Sequence, residues 1–268
     1  MLIANKYRIL DGITEGEFGK VYKGENIRTS EKVAIKIESK DNPVKLLKHE
    51  VKVYQYLKKL SGIPTLKWYG VYNDYHYLVM PLYDCSLADI INTNESIGNE
   101  NIISIAFQML DILQFIHNKE IIHRDIKPGN FVLDKVNNKL LLIDFGFAKR
   151  YMREDGEHIA FVDGKQIIGT PNYISINVHN GYEPSRRDDI ESICYIIFFL
   201  SMNINSWVDI INSDNDELEL DDILVCKREC RSNENVNEIF RNIFIQCSNT
   251  SFIEMPEYEK IIEYIQLL

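Results

Sequence analysis

The sequence lacks long hydrophobic runs, paired-cysteine motifs and any surplus of positive charge. Its longest apolar run, ICYIIFFL at residues 193–200, is too short to span a bilayer and reads as a buried helix. The opening MLIANKYRIL has no apolar core of a leader, because Lys6 and Arg8 fall among its apolar residues. No signal peptide and no membrane partner are therefore expected. The five cysteines are odd in number, loosely spaced and never C-x-x-C. Cys226 and Cys230 stand four apart, which a helix would bring to one face. They fit two reduced or buried thiols better than a metal pair, and point to a cytosolic or nuclear compartment. Forty Asp and Glu against thirty Lys and Arg give a net charge of −10. That argues against a nucleic-acid binder, which needs clustered Lys and Arg, but allows a local basic site. There is no internal repeat and no low-complexity linker.

What is present is a chain of 268 residues, 45% of them hydrophobic, long enough to bury a core in one large domain or two lobes. Period-two alternation marks strands at 7–13, 21–26 and 33–38, separated by Gly, Asn and Ser turns. Helical spacing follows at 43–60, then strand-like stretches at 66–72 and 77–82. From Ser86 onward the pattern is mainly helical: 102–117, 188–200, 236–245 and 258–267, with short strands at 131–133 and 140–143. The expected fold class is α+β. A small antiparallel sheet lobe with one helix precedes a larger, mainly α-helical lobe, and clefts between lobes favour ligands.

Four motifs lie along this frame. In ITEGEFGKV, Gly16 and Gly19 would let backbone amides approach phosphates; read alone, they also fit a hairpin turn. VAIK ends a strand at Lys36, whose ammonium can reach phosphates, and Glu50 on the next helix can hold it in place. Read alone, these are an edge lysine and a solvated helix residue. HRDIKPGN, 123–130, is more specific. Asp125 can orient a hydroxyl nucleophile and take its proton. Lys127 can neutralise a transferred phosphoryl group, and Asn130 can bind a metal. In IDFG, Asp144 can hold Mg²⁺ between phosphate oxygens.

The ordered set G-x-x-G, VAIK, HRDxKxxN and DFG resembles the eukaryotic protein kinases over nearly the whole chain. Lys127, followed later by Gly169 and Thr170, resembles the Ser/Thr class. ISIN at 174–177, GYEPSRRDDIESICY, GIPTLKWYG, HRDIKPGNF, IDFGFAKRY and MPEYEKI are similar to the casein kinase I family. That family carries Ser-Ile-Asn where most kinases carry Ala-Pro-Glu. The resemblance implies a kinase domain over 7–268, with an N-lobe at 7–81, a hinge at 82–85 and a C-lobe at 86–268. It also implies ATP and Mg²⁺ as cofactors, protein substrates, a monomer, and activity without activation-loop phosphorylation; with MPEYEKI near the end, the regulatory tail that many members carry is expected to be absent. By position, Ile13, Val21, Ala34, Val132 and Ile143 would sandwich adenine. Met80 would be the gatekeeper, and Leu82 would offer backbone hydrogen bonds. Thr170 would brace Asp125 and Lys127, and Asp189 would tie down the catalytic-loop backbone.

The sequence departs from this family at four places. Thr14 replaces the first glycine of the loop, whose tip carries Glu15 and Glu17, implying weaker ATP affinity. Asn172 replaces an arginine of a basic pocket that reads phosphorylated or acidic residues upstream of the target hydroxyl. A usually basic loop is the acidic NSDNDELELDD, 212–222, while Lys165, Arg186 and Arg187 keep basic character near the pocket. The loop is also compatible with a solvated segment remote from substrate. Cys194 replaces a glycine, as a packing adjustment. The leading reading is a Ser/Thr protein kinase with weakened preference for primed sites. The alternatives are a pseudokinase-like binding scaffold, supported by Thr14 and the two loop glutamates, and a small-molecule phosphotransferase.

Overall fold

Period-two alternation becomes a six-stranded antiparallel sheet, and the helical spacing becomes helices, in a mixed α+β fold. The protein is seen in a computed structural model that describes residues 1–16, 19–93, 97–204, 207, 219–234 and 236–268. The chain divides into two units: residues 1–84 with 133–147, and 85–132 with 148–268.

In the first unit the sheet runs β1 (Leu2–Ile3), β2 (Tyr7–Gly16), β3 (Gly19–Asn26), β4 (Lys32–Ser39), then β6 (Tyr75–Pro81) and β5 (Trp68–Tyr72) at the edge. One face buries Ile3, Tyr7, Val33, Ile35, Tyr77 and Val79 as a core. Because side chains alternate along a strand, Ala34 and Lys36 belong to the other face. In register with them are Met80 opposite Ala34 and Val21 opposite Lys36. β2 continues past the expected end at residue 13, because pairing resumes after a register shift. Gly12 pairs with Tyr22 and Thr14 with Val21, leaving Ile13 as the extra residue of a bulge. Gly19, opposite Gly16, has φ +147°, and a Cβ there would sit 2.7 Å from the Ile37 carbonyl oxygen. The position is closed to larger residues.

Helix α1 (Leu46–Tyr56) is shorter than the expected 43–60. The Asn42 side chain accepts the Val44 N–H in a turn before it, and Lys59 takes φ +77° after it. The buried carboxylate of Glu38 accepts the Leu47 N–H at 3.1 Å, satisfying one of the free donors of the first turn. The returning piece, residues 133–147, carries the strand Lys139–Leu142 and a 3₁₀ turn at Phe145–Phe147.

The second unit contains helices α2 (Leu87–Ile91), α3 (Asn99–His117), α4 (Ile176–His179), α5 (Arg186–Met202), α6 (Leu220–Ser232), α7 (Glu238–Asn249) and α8 (Tyr258–Ile265). Ile121–Ile122 and Lys149–Arg150 form a small antiparallel pair. Every residue of the run 193–200 in α5 is buried. Around it pack Trp207 and, from α7, Phe240 and Phe244; Phe198 stacks on Trp207, and the other contacts of Tyr195, Phe198 and Phe199 with these rings are edge-on or tilted. Cys194 lies in this core with Sγ 3.8 Å from Cys247 Sγ. Cys226 and Cys230 are free thiols, buried on one side of α6.

Part of the run read as an acidic loop is helix. Residues 212–218 lie outside the described residues, but from Glu219 the chain enters α6. Asp222 accepts the Glu219 N–H at 3.3 Å there, and acidic residues suit the positive end of a helix. Among the described residues, no helix is long and apolar enough to cross a membrane.

Candidate active site

The first unit assembles a charged triad. β4 presents Lys36, α1 presents Glu50, and the returning segment presents Asp144. Lys36 Nζ lies 2.8 Å from Glu50 Oε2 and 2.7 Å from Asp144 Oδ1. Burial alone would lower the pKa of Lys36, but the two carboxylates outweigh it and hold it well above the ordinary lysine value. Burial pushes the Glu50 carboxyl up to about 7, against the pull of Lys36. Asp144 has φ +65°, a region an L-residue adopts at a cost. Its amide donates to the Tyr54 hydroxyl at 3.1 Å, and the Tyr54 ring meets Phe145 edge-on at 5.1 Å. The Asp144 side chain remains 39% exposed, with Oδ1 engaged by Lys36, and a carboxylate is the hard oxygen donor that a cation such as Mg²⁺ takes.

The apolar residues expected around adenine are spread over this unit and the next. Val21, Ala34 and Ile143 are half-buried, Met80 is buried, and Ile13 is exposed. Leu82 gives its N–H to the Lys32 carbonyl at 3.3 Å, so that amide is engaged within the first unit. Val132 belongs to the second unit and is buried. Glu17 lies outside the described residues, as do the side chains of Thr14 and Glu15.

The second unit assembles Asp125, Lys127, Asn130 and Thr170. Thr170 Oγ1 donates to Asp125 Oδ1 at 2.9 Å and accepts from Lys127 Nζ at 3.1 Å. Lys127 Nζ also lies 2.8 Å from Asp125 Oδ2. Asn130 Nδ2 donates to the Asp125 carbonyl at 2.8 Å and approaches its Oδ2 at 3.3 Å. The expected brace is thus present: one hydroxyl bridges the carboxylate and the ammonium. Gly169, next to Thr170, has φ +104°, and a Cβ would stand 2.9 Å from the Arg124 carbonyl oxygen. Only glycine allows the two loops to approach so closely.

Asp189 holds the loop from beneath. Its Oδ2 accepts the His123 N–H at 2.7 Å and its Oδ1 the Arg124 N–H at 2.9 Å. Arg124 itself has φ +70°, a turn these bonds help to maintain. His117 Nε2 adds a third contact to Asp189 at 3.0 Å, and its Nδ1 meets the Tyr258 hydroxyl at 2.5 Å. Burial would raise the Asp189 pKa, yet His117 and the backbone amides hold it below the usual carboxylate value. The His117–Tyr258 link was not foreseen. Nothing local in the sequence couples the end of α3 to the start of α8.

The Ser-Ile-Asn triplet and the SRRDD run meet at one carboxylate. Ser175 caps α4 by accepting the Val178 N–H at 3.1 Å. Its hydroxyl donates to Asp188 Oδ1 at 2.6 Å, and Asn177 Nδ2 reaches the same oxygen at 3.1 Å. The other oxygen of Asp188 accepts the Ser185 N–H at 2.7 Å. The Ile176 N–H goes to Glu191 Oε1 at 2.9 Å, and Arg231 of α6 pairs with that carboxylate at 2.8 Å.

The basic residues expected near the altered pocket are engaged otherwise. Arg186 is buried, lies over the Tyr151 ring at 4.5 Å and donates to the Ile253 carbonyl. Arg187 donates to the Thr250 carbonyl. Lys165 pairs with Glu183 at 3.2 Å, and Lys149 pairs with the same carboxylate at 2.6 Å. The Asn172 carbonyl accepts from Trp207 Nε1 at 2.9 Å. A model of the protein kinase domain family matches residues 7–262.

Proposed function

The chain belongs to the protein kinase family, and from that premise we propose that it is a Ser/Thr protein kinase of casein kinase I type. It would move the γ-phosphoryl group of ATP to serine and threonine hydroxyls of protein substrates. The substrate oxygen attacks the γ-phosphorus, the bond to the β–γ bridging oxygen breaks, and the hydroxyl proton passes to Asp125. Lys36 and Lys127 would hold phosphate oxygens. Asn130 and Asp144 would hold Mg²⁺, which would neutralise the charge developing between the phosphates. The chain supplies positioning and electrostatics rather than a covalent intermediate.

The observation that carries this reading is the bridge Asp125–Thr170–Lys127. It sets a buried carboxylate beside an ammonium, which supports reading Asp125 as the proton acceptor and Lys127 as a phosphate partner. The casein kinase I assignment is supported by Ser175 and Asn177 sharing Asp188, which gives the Ser-Ile-Asn and SRRDD segments a common purpose. Transfer of labelled phosphate to casein, wild type against Asp125→Asn, tests the activity. A wild type no better than the variant would leave the scaffold reading standing.

The proposed substrate preference is a weakened selection for phosphorylated or acidic residues upstream of the target. It is supported by Asn172 in place of a guanidinium, by Lys165 already paired with Glu183, and by Arg186 and Arg187 donating to backbone carbonyls. A peptide library varied upstream of the target hydroxyl decides it, and a strong phosphoserine preference would sink it. A reducing compartment, cytosolic or nuclear, is proposed from the free thiols.

A further inference from the structure

Lys227 is the most unusual charge in the second unit. It is fully buried on α6 and, among the described residues, makes no ion pair with a carboxylate. Its ammonium donates to the Pro171 carbonyl at 2.8 Å and the Ile174 carbonyl at 2.6 Å, and meets His179 Nε2 at 3.1 Å. Three N–H donors thus find three acceptors, provided His179 carries its proton on Nδ1. The ring faces of Tyr195, at 4.6 Å, and Trp207, at 5.7 Å, complete the surroundings. Burying an ammonium against neutral partners is expensive, and burial presses its pKa well below the lysine value. A methionine of similar length would fill the same space without that cost.

We propose that Lys227 is a positioning residue that sets the segment 170–175, and acts on Asp125 and Lys127 through the backbone of that segment. The carbonyls of Pro171 and Ile174 are held by Lys227, and that of Asn172 by Trp207. Those three bonds tie down a loop that forms only one turn of its own, in which the Tyr173 and Ile174 N–H groups go to the Thr170 carbonyl. Thr170 at the front of this loop bridges Asp125 and Lys127. Tyr173, within it, forms one wall of a shallow depression of about 250 Å³ beside Lys127, Pro128, Gly129, Ala88 and Ile91. That depression adjoins the residues proposed to receive the hydroxyl, so the clamp sets both the catalytic geometry and the wall that a substrate chain would meet.

The inference rests on the kinase reading above, and its test separates the two. Steady-state kinetics of Lys227→Met against wild type, with a serine peptide and ATP, should show kcat/KM for the peptide falling about ten- to a hundredfold. The KM for ATP should stay within about twofold. A residue that merely stabilises the fold would lower the melting temperature without separating the two substrates. A folded variant with both sets of constants unchanged, or shifted together, overturns the proposal. If Lys227→Met does not fold, Trp207→Phe removes the donor to Asn172, keeps the Lys227 bonds to Pro171 and Ile174, and leaves a smaller ring against Lys227 and α5. It should raise the peptide KM about threefold or more; no change overturns the proposal. If the wild type transfers no phosphate at all, the kinase reading fails. Amide exchange over 168–175 then decides the clamp: faster exchange in Lys227→Met, or in Trp207→Phe if the first variant does not fold, supports it, and unchanged exchange sinks it.

Discussion

Lys36 and Asp144 stand 2.7 Å apart, ammonium to carboxylate, although 108 positions separate them in the chain. The same ammonium holds Glu50, so its removal strands a buried acid as well as a partly exposed one. Lys36→Met should reduce phosphate transfer by at least about a hundredfold. At pH 8 it should also cost about 3 kcal/mol of stability, the range for breaking a buried pair from one side. The Glu50 carboxyl, already at about 7 beside Lys36, rises further without it and takes up a proton. A native carboxyl above its unfolded value of 4.5 binds the extra proton as pH falls through that window. The penalty should therefore be smaller at pH 6 than at pH 8. Urea denaturation at the two pH values measures the difference, and equal penalties would count against a stranded Glu50.

Thr170→Val keeps the shape of the side chain and removes the hydroxyl that bridges Asp125 and Lys127. The expected result is a kcat lower by about ten- to a hundredfold, with the KM for ATP little changed. Thr170→Ser should restore most of the rate. Single-turnover phosphorylation of a peptide distinguishes the three proteins.

Asp189→Asn retains one acceptor oxygen where the carboxylate serves the His123 N–H, the Arg124 N–H and His117. One buried backbone N–H then faces an NH₂ group. A loss of about 2–4 kcal/mol is expected in chemical denaturation, together with a lower kcat as the turn at Arg124 loosens.

His179 has a pKa pushed down to about 4, first by burial and then by the nearby Lys227 ammonium. Between about 4 and its unfolded value of 6.5, the unfolded chain binds more protons at this group than the native one. Stability therefore rises with pH across that window and is lost as pH falls through it. His179→Gln should flatten this part of the curve of unfolding free energy against pH. His117, also depressed by burial, should keep some of the slope. A variant curve parallel to wild type would show that His179 does not titrate on unfolding.

Much of this site is written locally. VAIK, HRDIKPGN and IDFG announce their chemistry because each packs several functional residues into one strand end or loop. Thr170 was legible only through the family resemblance; read alone it is a turn threonine, and the structure adds that Gly169 beside it has φ +104° and lies against Arg124. Glu38 at the start of α1, Tyr258 against His117 and Glu183 between Lys149 and Lys165 were not legible. Each is a polar residue buried by a partner from another element. Lys227 left one faint trace: Ile223, Cys226 and Cys230 recur at helical spacing, and the same stripe includes position 227. Its charged neighbours in C-K-R-E-C hid that stripe. The basic residues near Asn172 were legible as charges but not as partners, since Arg186 could equally have faced solvent.

By itself the sequence determined the α+β class, most of the sheet strands, the helices α1, α3, α5, α7 and α8, and the residues that crowd into the loops 123–130 and 143–146. Hydrophobic periodicity and loop motifs act over a few residues, so they survive in a linear reading. Only the tertiary structure decided which charges are consumed internally and which remain available. Arg186 over Tyr151, Lys165 on Glu183 and Lys227 under Ile174, 53 positions away, are settled by burial. A buried charge must find its partners wherever the folded chain brings them.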